Sequence, residues 1–406
     1  MVQAVNDDRT RSVALLERLV NENSGTLNLP GVAKVGAMVR AELEPLGFTV
    51  RWVPLPETGR AGHLVATHPG NGRGKRLLLI GHLDTVFEKD SPFQKFVRRG
   101  DEAEGPGVGD DKGGMVVMIA ALRAMRAAGT LKDASIEIVL TGDEERVGTP
   151  LAVARADLLA AGRRADVALD FEGLAQQDGR DMGSIARRSS TNWELSVTAR
   201  TGHSSGIFSE SAGNGAAFEL ARILAAFRSE LPEPNLTFNV GLMASGATAS
   251  TDADGVRATA TGKTNIIPAL AVARGDMRTL SAEQTARVQA RMRAIVARPL
   301  AGASSTLSFG EAAYPPMAPT AGARALLARL NAVNADLGLP SMGELDPLRR
   351  GAGDISFVAS DVDGLVGLGP ASRGDHAPGE TVDLPSMDRQ AKRAALLMSR
   401  LAAEPR

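Results

Sequence analysis

The chain has 406 residues, with Lys and Arg totalling 46, Asp and Glu totalling 47, and a formal net charge of −1. This length suits two or three domains. The balanced charge argues against a nucleic-acid or anionic-membrane partner, and no apolar run reaches the ~18 residues of a membrane span. Cysteine is absent, which removes disulfides, a thiol nucleophile and thiolate zinc sites, so any metal must be held by His, Asp or Glu. The N-terminus, MVQAVNDDRTR, has no apolar h-region and reads as no signal peptide. The expected compartment is cytoplasmic, or periplasmic where a leader has been removed.

An apolar stripe predicts a helix over Thr10–Asn21, and a second helix follows over Gly31–Leu46, ended by Gly47. Arg76–Ile80 is a nearly continuous apolar run before glycine and reads as a buried strand. Gly113–Gly129 reads as a helix and Ser135–Leu140 as a strand. Strands and helices in alternation predict a mixed, mostly parallel sheet flanked by helices. The pattern changes near Ser189. An alternating strand at Thr191–Thr198, a helix over Ala212–Ser229, strand-like runs over Leu236–Thr261 and a helix over Ser281–Arg298 predict an inserted α+β unit of ~120 residues. It ends before Tyr314-Pro315-Pro316. The expected domains are therefore 1–188 and 313–406 for one unit and 189–312 for the insertion.

Five segments could carry chemistry. In Gly81-His82-Leu83-Asp84, His82 and Asp84 lie two apart on an extended chain and share a side, so the carboxylate can fix the imidazole tautomer as metal-binding His requires. The plainer alternative is a strand-end turn with Asp84 capping nearby amides. The glycine-rich GPGVGDDKGG segment before a helix suggests a phosphate cradle, but the G-x-G-x-x-G and G-x-x-x-x-G-K-[ST] patterns both fail. Its adjacent Asp110 and Asp111 suit a cation, or simply an acidic helix N-terminus. Thr141-Gly142-Asp143-Glu144-Glu145 ends a buried strand with three acids, costly unless paired, solvated or metal-bound. Asp170-Phe171-Glu172 and Asp375-His376 add further acids and an imidazole. The ends of parallel strands are where α/β sheets place their sites. A His, Asp, Glu, Glu, His set suits zinc, and five ligands suit two ions ~3.5 Å apart sharing one carboxylate.

The motifs GHLDTV, GPGVGDDKGG, TGDEE, DFEG and DHAPGE, in this order, resemble the di-zinc metallopeptidases that include glutamate carboxypeptidase, aminoacylase and succinyl-diaminopimelate desuccinylase. The resemblance covers nearly the whole chain and leans to the glutamate carboxypeptidase type. It implies two zinc ions per subunit: Asp111 bridging, His82 and Glu172 completing one site, Glu145 and His376 the other. It further implies Asp84 orienting His82, Glu144 as general base, and a cis peptide after the bridging acid, at Asp111–Lys112. The inserted unit resembles a lid and dimerisation domain. There His203 would steady the oxyanion in the partner's site, and Asn265 and Arg278 would hold a substrate carboxylate. The implied activity is release of a C-terminal amino acid from a small N-acyl amino acid, folate-type or short peptide substrate by a homodimer, or else deacylation or dipeptide cleavage. Glu172 precedes Gly173 where the family has proline, which leaves Asp170 as a competing ligand. Gly202-His203-Ser204-Ser205-Gly206 also fits the G-x-S-x-G elbow, so Ser204, Asp354 and His376 form a rival serine-hydrolase set.

Overall fold

The computed structural model describes residues 1–252, 254–310 and 313–406. The chain divides into two compact units: residues 1–186, 318–349 and 353–406 form one, residues 187–317 and 350–352 the other. The expected boundary at residue 312 lies outside the described residues.

The first unit begins with helix α1 (Val2–Val20), which turns Val5, Leu15, Leu16, Leu19 and Val20 inward. This helix starts eight residues before the expected Thr10, because the polar Asn6–Arg9 stretch forms its outer face. Asp8 there accepts from the buried Arg123. Helix α2 (Leu29–Leu43) opens with Asn28, whose side chain accepts from Gly31 N, and with a proline in its first turn. Two strands the sequence reading did not anticipate come next, β1 (Thr49–Leu55) and β2 (Arg60–His68). Then follow β3 (Arg76–His82), helix α3 (Lys112–Ala127), β4 (Ser135–Thr141) and β5 (Val167–Asp170).

With the late pair Gly364–Leu365 at the far edge, these strands form a six-stranded sheet in the order β1-β2-β4-β3-β5-(Gly364–Leu365). The first two pairings are antiparallel; β4 with β3, β3 with β5, and β5 with Gly364–Leu365 are parallel. Strand β3 is buried on both faces, as its unbroken apolar run requires. Helix α3, buried from Lys112 to Met125, lies between α1 and the closing amphipathic helix (Leu384–Ala403). The register sets His82 opposite Thr141 and Ile80 opposite Asp170, so β3, β4 and β5 end side by side.

The second unit is an antiparallel sheet: β6 (Thr191–Ala199) pairs on one side with Leu270–Arg278 and on the other with Ala303–Phe309. Trp193, Leu195 and Val197 alternate inward and are covered by helices Gly215–Glu230 and Ala282–Val296. Trp193 meets Phe227 edge-on at 5.9 Å. Among the described residues, no helix is long and apolar enough to cross a membrane.

Candidate metal centre

At the carboxyl ends of β3, β4 and β5 the first unit concentrates buried charge. His82, the last residue of β3, points its Nε2 at Asp110 Oδ1 (2.9 Å). Its Nδ1 donates to Asp84 O at 3.1 Å and lies 3.4 Å from Asp84 Oδ1. The other oxygen of Asp110, Oδ2, meets His376 Nε2 at 3.1 Å, and His376 Nε2 is 3.3 Å from Glu145 Oε2. One carboxylate therefore stands between two imidazoles. His82, Asp110 and Glu145 offer ligand atoms that all lie within 4.8 Å of one another.

The carboxylate in this central place belongs to Asp110, not to the expected Asp111. The cis peptide likewise joins Asp110 to Asp111 rather than Asp111 to Lys112. Asp111 is fully buried at the N-cap of α3, and its Oδ2 accepts from His82 N at 3.2 Å. Its carboxylate fits between two glycines: an added Cβ on Gly81 would lie 2.6 Å from Oδ2, and one on Gly114 2.1 Å from Oδ1. Asp111 thus steadies the backbone of His82 while Asp110 faces its ring.

Asp84 organises the acidic turn after β4. Its Oδ1 accepts from Glu144 N (3.0 Å), and its Oδ2 accepts from Glu145 N (3.1 Å) and from the Thr26 hydroxyl (2.6 Å). Asp84 is therefore tied to the imidazole and to both glutamates at once. Below the turn lies a buried ion cluster that the sequence did not signal. Arg155, with no exposed side-chain surface, donates to Asp143 Oδ1 at 2.6 Å and to Asp354 Oδ1 at 3.0 Å. Thr141 closes the cluster on Asp354 Oδ2 at 2.5 Å. Asp354 is thereby committed to Arg155 and Thr141, and His376 Nε2 to Asp110 and Glu145, so the rival serine triad does not assemble. Ser204 also enters only a three-residue 3-10 turn, Ser204–Gly206, not the helix an elbow demands.

Glu172 follows β5 and is half-buried; its backbone N donates to Asp170 Oδ1 at 3.1 Å. It is not among the three residues whose ligand atoms converge. In the second unit, Ser204 N donates to Asn265 O (2.9 Å), which brings the exposed His203 and Asn265 onto adjoining segments. His203 Nδ1 accepts from Ser205 N at 3.2 Å, which leaves the ring proton on Nε2. Arg278 ends the strand Leu270–Arg278, with Nε donating to Asp276 Oδ2 at 3.1 Å.

The electrostatics invite a cation. Burial pushes the Asp111 and Glu144 carboxyls well above the usual range, and burial with the nearby Asp110 charge pushes Glu145 up to about 8. Burial opposes a charged His82, but its hydrogen bonds to Asp110 and Asp84 outweigh it and hold the imidazole well above its ordinary value. Glu145 Oε1 is buried with no hydrogen-bond partner among the described residues. An unpartnered carboxylate oxygen beside two imidazoles and a shared aspartate fits a borderline cation such as zinc. Sequence reasoning named Asp110 with Asp111 as suited to a cation but gave the shared place to Asp111, and it missed Arg155. Arg155 lay in no recognisable motif.

Parallel strand ends carrying imidazole and carboxylate groups, with an α+β unit inserted in the chain, define an α/β protein with a candidate cation site. The chain belongs to peptidase family M20/M25/M40, whose model matches residues 78–400. It is 29% identical over 283 residues to carboxypeptidase G2 from Pseudomonas sp. (strain RS-16), a match covering 68% of this chain and 62% of that protein. It is 32% identical over 200 residues to succinyl-diaminopimelate desuccinylase from Leptothrix cholodnii, covering 47% of this chain and 51% of that one. These matches thus span less than two thirds of either relative's length. An aminopeptidase (PepT) from Bacillus cereus has the same fold, with a TM-score of 0.75 at 17% identity over 97% of this chain and 99% of that one.

Proposed function

We propose that the protein is a zinc-dependent hydrolase that cleaves an amide bond and releases an amino acid with a free α-carboxylate. The observation that carries this reading is the Asp110 carboxylate, with one oxygen facing His82 and the other His376. In this reading Asp110, His82 and Glu172 would hold one ion, and Asp110, Glu145 and His376 would hold a second. Glu172 is preferred to Asp170 on the family resemblance of the DFEG segment. Zinc held there supplies Lewis acidity, polarising a carbonyl and easing ionisation of water near neutral pH. Glu144 is the general base. Asp84 holds its backbone, its carboxyl is raised by burial, and it takes the proton of the attacking water and passes it to the leaving amine. His203, carrying its proton on Nε2, is the oxyanion donor, delivered to the partner's site in a homodimer formed through the inserted unit. Asn265 and Arg278 hold the substrate carboxylate, for which a planar guanidinium is suited.

Carboxypeptidase G2, as its name says a carboxypeptidase, supports exopeptidase chemistry of this kind. The test is a panel of N-acyl amino acids and dipeptides differing only in the C-terminal residue, assayed with zinc and with a chelator. Hydrolysis that is lost with the chelator and restored by zinc is expected. No turnover across the panel at full zinc occupancy would reject the enzymatic reading.

A further inference from the structure

The glycine-rich loop before α3 is an anion cradle, and the anion it holds is the protein's own. Glu380 has no exposed surface. Its Oε1 accepts from Gly109 N (2.8 Å) and Asp110 N (3.1 Å), and its Oε2 from Gly107 N (3.0 Å). Its carbonyl accepts from Gly105 N at 3.1 Å. Four amides of one six-residue loop thus converge on a single glutamate. Successive backbone amides aimed inward form the concavity that elsewhere binds phosphate. Glycine is required here: Gly107 has φ +69°, and a Cβ on Gly109 would lie 2.2 Å from Ser372 Cβ.

Glu380 closes the loop that begins after Ser372–Arg373, and this loop presents His376 at a left-handed φ of 66°. The adjoining Thr381–Asp383 pairs with Glu102–Glu104, which leads into the glycine loop. One short hairpin therefore carries His376 on its tip and grips the amide of Asp110 at its base. We propose that Glu380 is a positioning residue that sets the Asp110 carboxylate between His82 and His376. It acts through the loop backbone and makes no contact with metal or substrate. The inference rests on the metal-centre reading above.

The test measures zinc affinity by competition with a chromophoric chelator, alongside kcat and KM, for wild type, Glu380→Gln and Glu380→Ala. Glu380→Gln preserves volume but turns an amide NH2 toward loop N–H donors. It is expected to weaken zinc binding and lower kcat ~10–100-fold, with KM within about threefold. Glu380→Ala empties the cradle, and added formate is expected to restore zinc affinity to this variant but not to Glu380→Gln. Unchanged zinc affinity in Glu380→Gln overturns the inference, as does a folded Glu380→Ala whose lost affinity is indifferent to formate. Failure of wild type itself to take up zinc would instead overturn the metal-centre reading.

Discussion

The two compact units hold their candidate site residues differently, although the second also buries Arg187 and Glu219. In the first, His82, Asp84, Asp111, Asp143, Arg155, Asp354 and Glu380 are all buried, most of them around the ends of three strands. In the inserted unit, His203 and Asn265 are exposed and Arg278 is half-buried in a simple pair with Asp276. Buried charge is expensive unless it is paired or bound to a cation, so its concentration in one place is itself a functional signal. Exposed histidines and arginines send no such signal. The proposed roles of His203, Asn265 and Arg278 rest on family resemblance, whereas those of His82, Asp110 and Glu145 rest also on geometry.

Changes in the first unit should therefore be far more costly than changes in the second. The largest effect is expected at Glu144. Replacement by alanine should lower kcat ~10²–10⁴-fold while zinc content, read by elemental analysis, stays at the wild-type level. Retained turnover would remove Glu144 from the mechanism. Next comes Arg155→Met, which strands Asp143 and Asp354 without their shared cation. Chemical denaturation should show a loss of about 3–5 kcal/mol, and a loss below 1 kcal/mol would mean the cluster is not the support it resembles. In the second unit, Arg278→Ala should raise KM by ~10-fold or more with little change in stability, because a charge-assisted pair to substrate is lost. An unchanged KM would leave the carboxylate-holding role without support.

The smallest effect concerns Glu404, held down to about 2 by its hydrogen bonds to Arg329 and by Lys75. A carboxyl depressed in the folded state stabilises above its unfolded value and loses that contribution as pH falls through about 2. Glu404→Gln should thus cost at most about 1 kcal/mol near neutral pH, since the pair is partly exposed, and the difference from wild type should shrink between pH 5 and 2. A difference that grew on acidification would reverse the assignment.

The elements with the strongest apolar patterns were legible in sequence. Strand β3, helix α3 and strand β4 are buried on nearly every side and read as such. Strands β1 and β2 were not legible, because β1 is half exposed, is interrupted by Pro54 and depends on antiparallel partners for its burial. The start of α1 was hidden by polar residues that a tertiary contact, Asp8 with Arg123, draws into the helix. At the metal centre the residue types were legible but their facing was not. Asp110 and Asp111 are equivalent as letters. Only the loop path, gripped by Glu380, decides that one meets two imidazoles while the other turns back toward the amide of His82.

The proposed chemistry requires that Asp110, not Asp111, be the aspartate that two cations would share. Anomalous diffraction at the zinc edge from a zinc-soaked crystal reads this directly. Two peaks flanking the Asp110 carboxylate, one beside His82 and one beside His376 with Glu145, are the expected result. Peaks bridged by Asp111, or a single peak that leaves one imidazole without an ion, would contradict it.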